Sequence, residues 1–261
     1  MEKFIIIGER IHCISPVIKE ALANRDPEPI LARAKEQLDS GATYLDYNIG
    51  PAERDGEELM QWGVKLLQEN FDNVPLALDT ANKKAISAGV AVYNRSKGKP
   101  IINSADAGDR ISYIDLAAEN DAIVIALCSK QGVPRDNEER MQYCQEMLEH
   151  GMELGMEAED LWFDPLTLVI KGMQEKQIEF LEFIRQLSDM GLNSVAGLSN
   201  ASNGMPKELR PLVDRVLTAM SIECGLTSAI LNPNDKDLMD VIKTSEVILN
   251  RTLYADSYLE L

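Results

Sequence analysis

The fold class this sequence predicts is a closed (β/α)₈ barrel of the TIM type, and three observations carry it. Eight short apolar segments recur along 261 residues, each runs into polar residues, and each is followed by a stretch with helical patterning. That length is typical of one such barrel. Segments such as Ile123-Val124-Ile125-Ala126-Leu127 are apolar without alternation, as expected of parallel strands covered on both faces. Repeated strand–helix alternation argues for closure, with an open doubly wound sheet as the alternative topology.

The predicted strands are residues 4–10, 43–50, 75–81, 100–106, 122–128, 161–166, 193–200 and 228–232. Between them, residues 29–39 place Ile30, Ala34 and Leu38 on one helical stripe. Residues 137–154 and 236–249 are patterned likewise, and Gly41 and Gly89 fall where helix C-caps are expected. Neither a linker nor a shift in composition divides the chain, so one domain over residues 1–261 is expected.

Composition narrows the function classes. Hydrophobic residues make up 45% and charged residues 26%, which suits a folded domain rather than a disordered chain. The apolar runs are all too short to span a bilayer. The start, Met1-Glu2-Lys3 before Phe4-Ile5-Ile6-Ile7-Gly8, lacks a signal peptide's cleavage pattern, so a cytoplasmic protein is expected. Lys and Arg number 26 against 43 Asp and Glu, a net charge of −17. That field repels nucleic acid and anionic lipid, so neither is an expected partner. Cys13, Cys128, Cys144 and Cys224 are widely separated, and His12 and His150 are the only histidines. Such scattered ligands do not make a zinc site, and reduced, mostly buried thiols are expected.

The informative feature is where the polar groups fall. Segments end in Gly8-Glu9-Arg10, Asp46-Tyr47-Asn48, Asp79-Thr80, Asn103-Ser104-Ala105-Asp106, Asp164-Pro165, Ser199-Asn200 and Asn232. In a parallel barrel all of these lie at the C-terminal mouth, where the active sites of such enzymes are built. Thr80 and Asp106 read as caps of the following turn or helix. Asp79, Asn103 and Asp164 precede other residues able to cap, and read as functional. Carboxylates (Asp46, Asp79, Asp164) and amides (Asn48, Asn103, Asn200) together accept from and donate to a flat heterocycle edged with amino, amide and ring N–H groups. The three carboxylates also suit a divalent cation such as Mg²⁺, although the amides dilute the charge of such a site.

At these residues the chain resembles the pterin-binding barrel family. Within it, the likeness is to the branch of methyltetrahydrofolate:corrinoid iron–sulfur protein methyltransferase and the folate domain of cobalamin-dependent methionine synthase. The matching motifs are Gly8-Glu9-Arg10-Ile11, Leu45-Asp46-Tyr47-Asn48-Ile49-Gly50-Pro51-Ala52, and Leu78-Asp79-Thr80 followed by Ala85-Ile86-Ser87-Ala88-Gly89. Ile102-Asn103-Ser104, Phe163-Asp164-Pro165-Leu166 and Gly197-Leu198-Ser199-Asn200 continue them in order. Arg210-Pro211-Leu212, Cys224-Gly225-Leu226 and the closing Ile248-Leu249-Asn250-Arg251-Thr252 with Tyr254-Ala255-Asp256-Ser257 extend the likeness.

The resemblance implies a methyltransferase acting between N5 of tetrahydrofolate and the cobalt of a corrinoid (cobalamin) carried by a partner protein. It implies that Asp79, Asn103 and Asp164 hold the pterin edge, that Arg210 lies over or beside the ring, and that Asn200 reaches N5. Ser199 and Asn203 join the folate-binding set, with Glu9, His12, Asp46 and Asn48 supporting it, and no metal bound by the chain itself. Losing methyl from N5 requires a proton or a strong hydrogen bond there. The Asn200 amide stabilises the developing charge, and the proton is expected through water from a carboxylate. Relatives are homodimers, so a dimer joined away from the mouth is expected. Two departures stand out: His12 occupies a position where relatives carry Asn, and Asn203 one where they often carry Gln. His12 reads as a mouth residue titrating near neutrality or as a loop residue beside Cys13. Dihydropteroate synthase chemistry is the rival reading, but Gly8-Glu9-Arg10-Ile11 is not that enzyme's opening, and only Lys207 and Arg210 offer cations in the late loops. A noncatalytic folate-binding subunit is the other.

Overall fold

The computed structural model describes residues 3–260. Strand β1 (Ile5–His12) is followed by two helices, α1 (Pro16–Asn24) and α2 (Pro27–Asp39). Then come β2 (Tyr44–Asn48), α3 (Gly56–Asn70), β3 (Leu76–Asp79), α4 (Lys83–Ala91), β4 (Ile101–Asp106) and α5 (Ser112–Glu119). The second half runs β5 (Ile123–Leu127), α6 (Asn137–Glu153), β6 (Leu161–Asp164), α7 (Lys176–Asp189), β7 (Val195–Gly197), α8 (Arg210–Glu223), β8 (Ser228–Leu231) and α9 (Lys236–Ile248).

All strand pairs are parallel, in the order β6-β5-β4-β3-β2-β1-β8-β7. The two ends of that order meet through a parallel bridge between Phe163 and Ser194, where the Phe163 amide donates to the Asn193 carbonyl at 2.9 Å. A sequential order whose ends join is a barrel, and the open sheet is thereby excluded. Ile7, Ala77, Ile101, Ile125, Trp162 and Val195 pack together in the interior. Outward-facing Leu45, Tyr47, Leu78, Ile102 and Val124 pack with Met60, Val64, Ile86, Ile114 and Met147 of the surrounding helices. Both sheet faces are therefore dry, which is why the strands read as continuous apolar runs.

Several helix starts use a side-chain cap. Asp26 accepts from the Glu28 amide, Asn82 from Lys84 and Ala85, Asp136 from Glu139, and Asp235 from Leu238. Asn82, Asp136 and Asp235 account for part of the polar sequence in the strand-to-helix loops and leave Asp79 and Asp164 out of helix capping.

Four expectations are corrected. Strand β1 runs on to His12, which pairs with Asn48 across a register shift after Gly8, so His12 is not a loop residue. Strand β7 stops at Gly197, and Leu198–Asn200 coil into a short 3₁₀ turn. Gly41 does follow α2 with φ +98°, but Gly89 lies inside α4. A Cβ at Gly89 would approach Met60 Cγ to 2.5 Å, so the residue is small to let α4 lie on α3. On α2, Gln37 rather than Leu38 completes the fully buried set with Ile30 and Ala34. Its Oε1 accepts from the Arg10 amide at 2.8 Å, a task no apolar residue performs.

Candidate active site

Strand register sets the first half of the site. His12 pairs with Asn48, Asn48 with Asp79, and Asp79 with Asn103, so β1 to β4 present one polar row at the mouth. Asp46 lies two residues below Asn48 and so on the same face. Asn103 Nδ2 donates to Asp46 Oδ1 at 3.3 Å, and Asn48 Nδ2 donates to Asp79 Oδ2. Asn48 Oδ1 accepts from the Gly50 amide at 3.0 Å and from Cys13 Sγ at 3.5 Å. With both ends of its amide engaged, Asn48 orients Asp79. Asp164 ends β6 opposite Leu127 and accepts from the Leu166 amide at 2.8 Å.

These carboxylates are buried with few donors, and their acidity records it. Burial pushes Asp79 up to about 6, against the lowering hydrogen bond from Asn48. Burial likewise pushes Asp164 up to about 6. Asp46, 4% exposed, is held well above the ordinary carboxylate range by burial and then by the neighbouring Asp79 charge. Such a row has fewer N–H donors than its carboxylates can accept, and a ligand edged with N–H groups supplies more. For His12, burial and then Arg10 push the imidazole below its usual value, which favours the neutral ring at neutral pH.

The second half is built on the turn after β7. Arg210, at the start of α8, donates from Nη2 to Asn203 Oδ1 at 3.1 Å and from Nε to Ser202 Oγ at 3.3 Å. Asn203 Nδ2 in turn donates to Asn200 Oδ1 at 3.4 Å. With its oxygen occupied, Asn200 has its amide nitrogen available as a donor. That nitrogen would lie 3.0 Å from a Cβ at Gly197, so Asn200 folds back over the strand end only because position 197 lacks a side chain. Ser199 Oγ donates to Glu9 Oε2 at 3.0 Å. Strand β1 pairs with both β2 and β8, so Glu9 stands between the two halves.

A cavity of 320 Å³ opens beside this second half, lined by Glu9, Arg10, Ser199, Lys207, Arg210 and Asp214 among others. Thr80 and Asp106 act locally: Thr80 Oγ1 accepts from the Asn82 amide at 3.1 Å, and Asp106 accepts from the Gly108 and Arg110 amides. Two contributors escape sequence reasoning. Arg140, 0% exposed, donates from Nε to the Pro165 carbonyl at 3.0 Å, directly behind Asp164. Asp214 places a buried, unpartnered Oδ1 beside the cavity. Both lie inside helices and look like ordinary surface charges in the sequence.

Desolvated carboxylates and amides on β2, β3, β4 and β6 and the hydrogen-bonded Asn200 after β7 thus gather at one end of the barrel, an acceptor-rich arrangement able to take the N–H groups of a polar heterocycle. A family profile described as pterin binding enzyme matches residues 15–232, and the chain belongs to that family. It is 26% identical to methylcorrinoid:tetrahydrofolate methyltransferase of Eubacterium limosum, over 97% of this chain and 94% of the relative. Methionine synthase of Mycobacterium leprae is 28% identical over 87% of this chain, which spans 20% of that longer enzyme. Among solved structures, DHPS of Yersinia pestis superposes with a TM-score of 0.74, covering 95% of each chain at 17% identity. The 7,8-dihydropteroate synthase of Vibrio fischeri gives 0.73 at 16% identity, covering 96% of this chain and 95% of that one. At that identity the structures speak for the barrel, not for its chemistry.

Proposed function

We propose that this chain is a methyltransferase that moves a methyl group between N5 of tetrahydrofolate and the cobalt of a corrinoid carried by a partner protein, in either direction. The observation that carries the reading is Asn200, its oxygen held by Asn203 and its nitrogen left to donate, at the same mouth as the desolvated carboxylates Asp46, Asp79 and Asp164. In this reading Asp46, Asp79, Asp164 and Asn103 take the amino, amide and ring N–H groups of the pterin. Arg210, braced by Ser202 and Asn203, lies against the ring. The Asn200 amide then donates to N5 as charge develops there. The corrinoid supplies the cobalt that gives or takes the methyl, while the protein supplies orientation and a preorganised field. End-to-end similarity to an enzyme named for this reaction supports the assignment.

Dihydropteroate synthase chemistry is the competing reading, since solved barrels of that kind share the fold. One assay separates the two. Purified protein mixed with methyltetrahydrofolate and reduced cobalamin is expected to give the methylcobalamin spectrum. Failure to form it, with the protein folded and folate bound, would remove the methyl-transfer reading.

We also propose that the chain works as a single domain, in the cytoplasm and as a homodimer. No helix among the described residues is long and apolar enough to cross a membrane. The four cysteines are unpaired, as a reducing compartment allows. For the dimer, Ile178 of α7 and Leu212, Val216 and Met220 of α8 are exposed along one groove on the flank of the barrel. Leu212, Val216 and Met220 follow at four-residue spacing, one stripe that a two-fold axis brings against its own copy.

A further inference from the structure

Glu9 stands apart from the other mouth carboxylates. Asp46 accepts from Asn103, Asp79 from Asn48, and Asp164 from the Leu166 amide, all on the side that the pterin edge occupies. Glu9 instead takes the Ser199 hydroxyl, and Ser199 immediately precedes Asn200. Glu9 and Ser199 both line the 320 Å³ cavity, whose wall also includes Arg10, Lys207, Arg210, Asp214 and Asp235. A polar space of that size accommodates several water molecules. A half-buried acid thus bonds the residue next to Asn200 at the wall of a polar cavity.

Resting on the methyl-transfer reading, we propose that Glu9, acting through the Ser199 hydroxyl, holds the proton that N5 takes up when its methyl leaves and gives back when a methyl arrives. Toward the corrinoid, the cobalt(I) electron pair forms the bond to carbon, the N5–carbon bond breaks, and its pair stays on N5. With Glu9 protonated the hydroxyl turns, so that the Glu9 acid donates to Ser199 Oγ. The Ser199 hydrogen passes to N5, the Glu9 hydrogen replaces it, and Glu9 is left as a carboxylate that accepts from Ser199, as in the structure, until it is reprotonated through the cavity. In the opposite direction N5 attacks the methyl group and the cobalt–carbon pair returns to cobalt. The N5 proton then passes through Ser199 to the Glu9 carboxylate. Glu9 is a positioning residue in this scheme, because Ser199 stands between it and the nitrogen.

The charges around Glu9 favour holding a proton. Burial raises its pKa most, the Ser199 bond and Arg10 lower it, Asp214 of α8 raises it, and Arg210 of α8 lowers it, with a net upward shift. On the adjacent strand β2, Asp46 also feels the Glu9 charge. The sign follows. Transfer toward cobalt needs the acid form and slows as pH rises through the Glu9 value, whereas transfer toward folate needs the carboxylate and speeds up.

The test is single-turnover methylation of reduced cobalamin by methyltetrahydrofolate across a pH series, for wild type, Glu9→Gln and Ser199→Ala. Wild type is expected to lose rate at high pH. Glu9→Gln is expected to be about 10²-fold slower or more, to lose that pH limb, and to change folate Kd far less than rate. Ser199→Ala breaks the relay with Glu9 in place, and is expected to be slowed with the same limb lost; it decides the matter if Glu9→Gln does not fold. Wild-type rate and pH profile in either folded variant would overturn the proposal while leaving methyl transfer standing. Wild-type protein that binds folate yet never methylates cobalt would overturn both.

Discussion

Asp164 is buried at the end of β6 with the Leu166 amide as its described donor, so its carboxyl is pushed up to about 6. Its folded-state pKa lies above the ordinary value of 3.8. The folded protein therefore binds this proton more tightly than the unfolded chain does. That contribution is fully present below the unfolded value and is lost as pH rises through about 6. At neutral pH the ligand-free protein carries a desolvated charge that favours unfolding and awaits N–H donors. Asp164→Asn is accordingly expected to stabilise the free protein at pH 7 by on the order of 1–3 kcal/mol, with the gain vanishing near pH 4. The same change should weaken folate binding by about 1–3 kcal/mol, because the ligand loses a charged acceptor. Calorimetric melting at the two pH values, with folate titration at pH 7, checks both halves. A variant less stable at pH 7 would refute the desolvation account.

Gly197 makes a second residue-scale case. Its missing side chain leaves room for the Asn200 amide, and an added Cβ would approach Asn200 Nδ2 to 3.0 Å. Gly197→Ala should therefore behave as a mild form of Asn200→Ala, which is expected to lower the methyl-transfer rate by about 10²–10³ with the melting temperature nearly intact. Stopped-flow cobalt methylation by the folded variants is the measurement. If Asn200 is only a turn residue, stability will fall and the rate per folded molecule will hold.

At the scale of elements, Arg140 ties α6 to the end of β6. Its Nε bonds the Pro165 carbonyl at 3.0 Å, and its Nη1 bonds Asn137 Oδ1 at 2.8 Å and Glu179 Oε2 at 3.2 Å. The backbone it grips leads straight into Leu166, which has φ +67°. A buried guanidinium there fixes an irregular turn that packing alone would not, and the turn aims Asp164. Replacing it with Met keeps most of the volume and leaves the Pro165 carbonyl and Glu179 without this donor. Arg140→Met is expected to cost about 3 kcal/mol in urea unfolding and to weaken folate binding by the molecules that remain folded. Unchanged folate affinity would show that the turn holds its shape without the guanidinium. Asn137 sits at the start of the same helix, so one element both supplies the grip and orients it.

For the whole molecule, the exposed stripe of Leu212, Val216 and Met220 faces outward from the barrel wall. A charge placed there should leave the fold alone and oppose self-association. Val216→Asp is expected to sediment as a monomer at micromolar concentration where wild type sediments as a dimer, with methyl transfer to free cobalamin still measurable. A wild-type monomer at that concentration would contradict the dimer.

How much could be read before folding differs between the fold and its site. Patterning over a few residues settles the order of strands and helices, because apolar runs and caps act within one element. It also settles that Glu9, Asn48, Asp79, Asn103 and Asp164 share one end of a barrel, since parallel strands all finish on the same side. Local pattern misplaced Gly89, whose small size answers to Met60 on a neighbouring helix. It was silent on Arg140 and Asp214, because a buried charge inside a helix is spelled like an exposed one. Tertiary structure alone decided which groups pair: Asn103 with Asp46, 57 residues apart, and Ser199 with Glu9, 190 residues apart. It decided their acidity as well, for desolvation is a property of what surrounds a carboxylate and not of its neighbours in the chain. Contacts between residues distant in sequence arise only when the barrel closes, and the arrangement that could hold a proton beside Asn200 arises with them.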